Sequence, residues 1–337
     1  MKGLRKYLTP FAPDQSGAVA VFYELGGMIV ICDAGGCAGN ICGFDEPRWE
    51  KHKSAIFSAG LRDMDAIMGR DEKLAEKIAG AAQQIDVHFI ALIGTPVPAV
   101  IGTDYTALSR LVEKRTHLPV VSVDTNGMEL YDRGERKAYD ALYRKFAKER
   151  FPVKKGKVNV FGEALGFAGA EPAAGEGDPS AASESGDDPL EKIRRASEAE
   201  KNIAASPSGI AAARYLQETF GTPYEIFDPA ALRILPRENF SGQRILIVHQ
   251  HVTADTLRRE LLQRGAADVT AATWFSFARQ IRQETDVFLK EEDDFTQLVS
   301  EGGYDLIIAD EAMKPLAPDF QGRWIDAPHF ALSGRRA

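Results

Sequence analysis

The amino-acid sequence predicts an α/β protein with two or more Rossmann-like, doubly wound parallel sheets. Three observations support this prediction. Short apolar runs rich in β-branched residues recur along the chain, helical stretches separate most of them, and 337 residues suffice for two or three domains. Strands that alternate with helices in this way usually form parallel sheets with crossover helices. Binding sites in such folds lie beyond the carboxyl ends of the strands.

Six apolar runs are predicted to be strands. In chain order they are residues 28–32, 87–93, 118–123, 158–161, 244–248 and 304–309. Between them, residues 71–85 place Leu74, Ile78 and Ala82 on one face at helical spacing, with acidic residues in the first turn, where the helix dipole favours them. Residues 255–265 show the same pattern and end at a glycine, so they are also predicted to be helical.

One segment differs in composition from the rest. Residues 168–189 consist of Gly, Ala, Ser, Pro and acidic residues, with no Lys, Arg or large apolar side chain. Such a segment cannot bury enough apolar surface to fold as a core element. We therefore predict an N-terminal α/β portion over residues 1–165, an acidic low-complexity linker or insertion over 166–189, and a C-terminal Rossmann-like α/β domain over 190–337.

Charge and hydropathy exclude several classes of partner. Lys and Arg total 41 against 49 Asp and Glu, and the basic residues are scattered, which argues against binding of nucleic acid or an anionic membrane. No apolar run approaches the roughly 20 residues that span a bilayer, and the first residues lack the apolar stretch of a signal peptide. We expect a cytoplasmic protein.

The cysteines are the first indication of chemistry. All three lie in one glycine-rich loop after the first predicted strand: Cys32, Cys37 and Cys42. A low, odd number of cysteines argues against a disulfide framework. Gly35, Gly36 and Gly39 lie between them and allow the backbone to bend around a bulky group. Because thiolates are suitable ligands for iron–sulfur clusters, we predict that the cysteines bind such a cluster and that these glycines line it.

Three other interpretations of the loop fit the sequence less well. Structural zinc sites usually pair cysteines two to four residues apart and add a second pair or histidines, which this sequence lacks. A single cysteine is often only a small buried apolar residue, but three within residues 32–42 favour metal binding. A catalytic thiol is disfavoured because the loop contains no histidine. Asp33 is expected to cap the loop.

The loop and its flanks resemble the nitrogenase component 1 family. Gly36 and Cys37 resemble the Gly-Cys turn that follows a strand in that family, and four further segments resemble it: residues 57–74, 90–108, 158–167 and 202–229. There are two departures. The family's upstream cluster cysteine would fall near residues 11–14, and Thr95 stands where the family has a cysteine before proline. The resemblance therefore assigns a ligand role to Cys37 alone, and Cys32 and Cys42 are additions.

The resemblance implies a nitrogenase-like oxidoreductase of the short homodimeric type, with the component 1 fold. Such a chain would take electrons from a separate ATP-hydrolysing iron protein and deliver them to a small-molecule or metallocofactor substrate in the interdomain cleft. No Walker A pattern occurs here, so the ATP site would be on the partner. The cofactor would be a 4Fe-4S or larger cluster. This cluster would be held in one of three ways: within a single chain, by all three thiols of each of two chains, or by two thiols from each of two chains.

Four residues at predicted strand ends are candidates for proton donors. His249 and His251 follow the strand 244–248, and Asp310 and Glu311 follow the strand 304–309. The alternative is that they are ordinary polar residues of loops.

Two further functions remain open: a scaffold or carrier for assembly of a metallocluster, which needs no proton donors, and a non-catalytic binding protein. Phe44, Arg48 and Trp49 are candidates for a docking surface, and Trp274, Phe275 and Phe277 for either a flat-ligand pocket or the core.

Overall fold

The structure is a computed structural model that describes residues 5–50, 54–162 and 188–335. Nearly all of the predicted linker at 166–189 lies outside the described residues. The strands within the described ranges form three sheets, and every strand pairing in them is parallel. The predicted fold class, parallel α/β, is confirmed.

The first sheet has the strand order β2-β1-β3-β4. Its strands are β1 (Met28–Ile31), β2 (Ala55–Ser58), β3 (Ile90–Ile93) and β4 (Val120–Val123). The helices of this part are α1 (Asp14–Phe22), α2 (Gly36–Asn40), α3 (Asp63–Met68), α4 (Asp71–Ala82), α5 (Pro96–Ile101), α6 (Tyr105–Thr116) and α7 (Tyr131–Phe146). Helices α4 and α6 cover one face of the sheet, and α1 and α7 cover the other.

The second sheet has the strand order β5-β6-β7. It consists of β5 (Lys154–Phe161), β6 (Ala199–Ala204) and β7 (Tyr224–Ile226), with α8 (Pro189–Arg194) and α9 (Ile210–Phe220). Strand β5 precedes the predicted linker and β6 follows it, yet the two pair along their length. One sheet therefore takes strands from both sides of residues 166–189. The division into portions 1–165 and 190–337 stays a prediction.

The third sheet has the strand order β10-β9-β8-β11-β12. Its strands are β8 (Arg244–Val248), β9 (Asp268–Thr273), β10 (Val287–Phe288), β11 (Leu306–Ala309) and β12 (Arg323–Asp326). Helices α10 (His251–Gln263), α11 (Glu292–Gly302) and α12 (Phe330–Ser333) belong to this part. Strands β8 and β11 lie inside the sheet, which explains their nearly continuous apolar sequences.

The predicted elements are confirmed, with shifted ends. The predicted strand at residues 244–248 has the same bounds as β8. The other five predicted strands have different bounds, in most cases because their first predicted residues precede the sheet. The predicted helix 255–265 begins earlier, at His251, so that this histidine lies in the first turn. Among the described residues, no helix is long and apolar enough to cross a membrane.

Two helices meet backbone to backbone beside the first sheet. A Cβ atom added to Gly134 of α7 would lie 1.6 Å from the carbonyl oxygen of Asp14, and one added to Gly17 of α1 would lie 2.0 Å from that of Tyr131. No Cβ atom fits this close to a backbone oxygen, so both positions require glycine. The Asp14 carboxylate also accepts hydrogen bonds from the backbone N–H groups of Asn126 and Gly127, which follow β4. Helix α1 is thus fixed to the edge of the sheet where the site residues lie.

Candidate functional site

The cysteine loop leaves the end of β1 through a sharp turn. Gly35 has a φ of 119°, which only glycine adopts readily, and α2 starts at the next residue. Asp33 caps the loop as predicted, because its carboxylate accepts hydrogen bonds from the Ala38 N–H at 2.9 Å and the Ser58 hydroxyl at 2.6 Å. Helix α2 continues into a π-helical turn at Ile41–Asp45. Turns of this kind are frequent at functional sites.

The structure does not bring the three cysteines together. Cys32 is 1% exposed and packs with Met28 and Val30 on the face of the sheet covered by α4 and α6. Cys37 is half-buried and packs against the core on the opposite face. Cys42, in the π-helical turn, is also half-buried. Among the described residues, no group of three or more His, Cys, Asp or Glu side chains is arranged to hold a metal ion. One preformed three-thiol site is therefore not supported.

The electrostatics of the loop keep the thiols protonated. Burial raises the pKa of Cys32 to about 12, against a hydrogen bond with Tyr105 that lowers it. Burial also raises the pKa of Cys37, helped by the charge of Asp33 and opposed by a hydrogen bond with Thr95. Burial, followed by the charge of Glu46, raises the pKa of Cys42. Each thiol would release a proton on binding metal.

The glycines of the loop border open space. A Cβ atom added to Gly35, Gly36, Gly39 or Gly43 would have no atom within 4 Å. These glycines therefore do not serve close packing within the chain. They leave room for a bulky group or a partner surface directly beside Cys37 and Cys42. This space is the observation that agrees with the predicted role of Gly35, Gly36 and Gly39.

Exposed apolar side chains lie in the loop and in the segments that follow the neighbouring strands, at the same edge of the first sheet. Phe44 is 81% exposed and Val100 is 87% exposed. Other exposed apolar residues follow the carboxyl ends of β2, β3 and β4: Met64, Met68, Val97, Ile101 and Met128. We call these seven residues the apolar rim. Arg48, in contrast, is buried and paired with Glu46 at 2.7 Å, so it does not belong to a docking surface.

The two candidate histidines follow β8 but are buried. His251 is 1% exposed, its Nδ1 accepts a hydrogen bond from the Ala278 N–H at 3.0 Å, and its Nε2 lies 2.9 Å from the Asp286 carboxylate. The proton is therefore on Nε2 and the imidazole is neutral. Burial lowers the pKa of His251, although Asp286 raises it. Arg258 completes this pairing by donating to Asp286.

His249 belongs to a stack of rings at the carboxyl edge of the third sheet. Its ring lies 4.9 Å from that of His329, and the His329 ring is stacked on Phe275 at 4.4 Å. His249 Nε2 lies 3.1 Å from the Pro328 carbonyl oxygen. Trp274 and Phe275 are buried members of the core. Of the two interpretations of these aromatic residues, the core is the one that applies to Trp274 and Phe275.

The two candidate acids after β11 differ in their surroundings. Asp310 is buried, and its carboxylate accepts hydrogen bonds from Ser333, the Ala312 N–H and the His329 N–H. Burial opposes ionisation of Asp310, but these hydrogen bonds outweigh it and lower its pKa. Glu311 is exposed and pairs with Lys314 at 2.7 Å. Asp310 therefore has a structural role in joining β11 to α12, and only Glu311 reaches solvent.

The sequence matches the family model described as nitrogenase component 1 type oxidoreductase over residues 14–233. The chain belongs to the nitrogenase component 1 family. The match includes the cysteine loop, so the resemblance predicted from Gly36 and Cys37 is confirmed at the level of the family. An iron–sulfur cofactor is consistent with this membership.

Known proteins refine the comparison. The nitrogenase iron-molybdenum cofactor biosynthesis protein NifE of Klebsiella pneumoniae is 26% identical in an alignment of 219 positions that covers 56% of this chain and 46% of that protein. The chain thus matches about half the length of this relative. Solved structures of nitrogenase Cp1 at pH 6.5 and at pH 5 have TM-scores of 0.73 and 0.66, with 12% and 14% identity. They cover 100% and 97% of this chain, and 89% and 86% of their own. At these identities the likeness establishes the fold.

The apolar rim was not predicted, apart from Phe44. Its members lie in short segments just after the strands. Met, Val and Ile residues in such segments are the sequence feature that could have revealed the rim. Exposed apolar patches of this kind mark interaction surfaces.

Proposed function

We propose that two copies of this chain hold an iron–sulfur cluster between them, using Cys37 and Cys42 of each copy, and that the chain acts as a carrier in metallocluster assembly. The observation that supports this proposal most is the pair of half-buried thiols on an open, glycine-lined surface inside the apolar rim. A bound cluster would supply one-electron transfer and would be the cargo in assembly.

The number of available thiols argues for two copies. A 4Fe-4S cluster is usually held by four cysteines, and each chain has two half-buried thiols in this loop. Cys32 would remain unligated, because it is buried on the other face of the sheet. Of the arrangements that the sequence left open, two thiols from each chain fits these positions best.

The apolar rim supports the same arrangement. Phe44, Val100 and Met128 are among the most exposed apolar side chains of the described residues, and they lie at the edge that carries Cys37 and Cys42. A second copy placed on this edge would bury them and bring its own thiols to the cluster. The interface would be isologous, as in most homodimers.

A carrier role is favoured over turnover by the state of the candidate proton donors. His251 and Asp310 are buried and bound by internal hydrogen bonds, and His249 lies in a stack of rings. A carrier needs accessible, exchangeable ligation and no proton delivery. The relative NifE is a cofactor biosynthesis protein by name, which agrees with this role.

A nitrogenase-like reductase that takes electrons from an ATP-hydrolysing iron protein is the second candidate. The observation that favours it is Glu311, which is exposed beyond the carboxyl end of β11, where ligands bind in such folds. In that role Glu311 would hold a proton for a substrate beside the sheet, with Lys314 as its counter-ion.

Cluster transfer separates the two candidates. The anaerobically reconstituted protein, loaded with radiolabelled iron, is incubated with an apo iron–sulfur acceptor protein and the labelled iron on each protein is measured. We expect transfer to the acceptor, unchanged by Glu311→Gln. Retention of the label, together with ATP-dependent oxidation of a reduced iron protein, would instead establish the reductase.

A further inference from the structure

A second candidate site lies at the same edge of the first sheet as the cysteine loop, on the face opposite Cys37, and its lining includes Ile101 of the apolar rim. It is a cavity of about 260 Å³ beyond the carboxyl ends of β1, β2 and β3, on the side covered by α4 and α6. Strands β1 and β3 are neighbours, and the chain leaves β1 toward β2 and β3 toward β4, on opposite sides. Parallel sheets bind ligands in the crevice at such a switch in strand order.

The floor of the cavity is apolar. It is formed by Cys32 after β1, Leu74 of α4, and Leu108 of α6, all of which are buried. Leu61 and Pro98 add apolar surface at its sides. An apolar floor with a few convergent polar groups is the usual composition of a small-molecule site.

Three cations line the cavity: Arg70, Lys73 and Lys77. Arg70 and Lys73 lie 3.8 and 3.7 Å from the same oxygen of Asp65, Oδ1, so they are attracted to it without forming hydrogen bonds. This oxygen is buried and accepts no hydrogen bond from the described residues, although the Asp65 side chain lines the cavity. Lys77 is beside them, with its ammonium 3.5 Å from the Ala59 carbonyl oxygen. Among the described residues Arg70 and Lys73 donate no side-chain hydrogen bond and Lys77 donates this one, so each cation keeps donors for a ligand.

Two further carboxylates line the same cavity. Asp71 is the first residue of α4, and Asp104 is the N-cap of α6, and both line the cavity. Burial raises the pKa of Asp71, and the charge of Asp104 raises it further, so the two carboxylates are close enough to repel each other. A positive charge placed between them would relieve this repulsion.

We propose that this cavity binds an amino acid in its zwitterionic form. The ammonium group lies between Asp71 and Asp104, the carboxylate faces Lys73 and Lys77, and the side chain rests on the apolar floor. Three cations and three carboxylates line the cavity in total, which suits a ligand without net charge: Arg70, Lys73, Lys77, Asp65, Asp71 and Asp104. The proposal depends on these residues alone and is independent of the cluster.

Thermal shift with each proteinogenic L-amino acid, on the full chain, is the first test. We expect at least one of them to raise Tm in a saturable manner at millimolar concentration. Calorimetric titration then compares this amino acid with its amide, which lacks the carboxylate, and with its deaminated acid, which lacks the ammonium. Each analogue should bind at least about tenfold more weakly, because each lacks one of the two charge-assisted interactions.

Variants locate the site. Asp71→Asn and Lys77→Met should each weaken binding at least about tenfold. Glu76→Gln and Lys114→Met, at exposed positions of the same two helices and outside the cavity, should leave it unchanged. The proposal is overturned if no amino acid raises Tm, if either analogue binds as well as the zwitterion, or if the control variants weaken binding equally.

Discussion

Phe44→Asp should dissociate the proposed dimer. Phe44 is 81% exposed in the single chain, so nearly all of its side chain is available for burial in the interface. Burying a phenylalanine contributes roughly 1.5–3 kcal/mol, and a twofold interface counts the side chain twice, which gives about 3–6 kcal/mol per dimer. The dimer dissociation constant should therefore rise by roughly two to four orders of magnitude, and the desolvation of two carboxylates would add to this.

Sedimentation velocity over a concentration series measures the effect on anaerobically reconstituted protein. Leu262→Asp is the matched control, because Leu262 is 47% exposed on α10 of the third sheet and outside the apolar rim. Both variants should keep the fold, since substitutions at exposed positions usually change stability by no more than about 0.5 kcal/mol. A Phe44→Asp protein that dimerises like the wild type, or a Leu262→Asp protein that dissociates equally, would refute the proposed interface.

Three further predictions concern stability, measured by urea unfolding. Burial lowers the pKa of His251 below its usual 6.5, so its contribution to the free energy of unfolding is fully present above that pH. Below that pH the free energy of unfolding should fall by up to about 1.4 kcal/mol per pH unit. His251→Gln should remove this pH dependence. Asp286→Asn removes one of the two carboxylates that pair with buried Arg258, the other being Asp255, and should cost about 1–3 kcal/mol, so unchanged stability contradicts this role. Gly134→Ala forces a Cβ to 1.6 Å from a backbone oxygen of α1 and should cost at least about 1–3 kcal/mol, whereas Gly80→Ala, in open space on α4, should be neutral or stabilising.

Much of the fold could be predicted from the sequence because its parallel strands are buried. Runs such as residues 244–248 are apolar throughout, as expected for a strand covered on both faces. Strands with less apolar sequences, such as β12, were missed because local composition does not distinguish them from loops. The pairing of β5 with β6 could not be predicted either, since residues 162–198 separate them along the chain.

The candidate site was predicted in part. The loop and Cys37 were identified from local sequence, and the position of Cys32 could have been read from the twofold alternation of a strand. Met28, Val30 and Cys32 share one face, which is the face away from Cys37. The roles of His251 and Asp310 could not be read in this way, because their partners Asp286 and His329 come from distant parts of the sequence.

The cluster itself is tested most directly by the iron and acid-labile sulfide content of the anaerobically purified protein and its three Cys→Ala variants. We predict about two iron atoms per chain in the wild type, as expected for one 4Fe-4S cluster shared by two chains. Cys37→Ala and Cys42→Ala should lose the iron and its visible absorbance, whereas Cys32→Ala should keep both. Full iron content in Cys37→Ala, or an iron-free wild-type protein, would contradict the proposal.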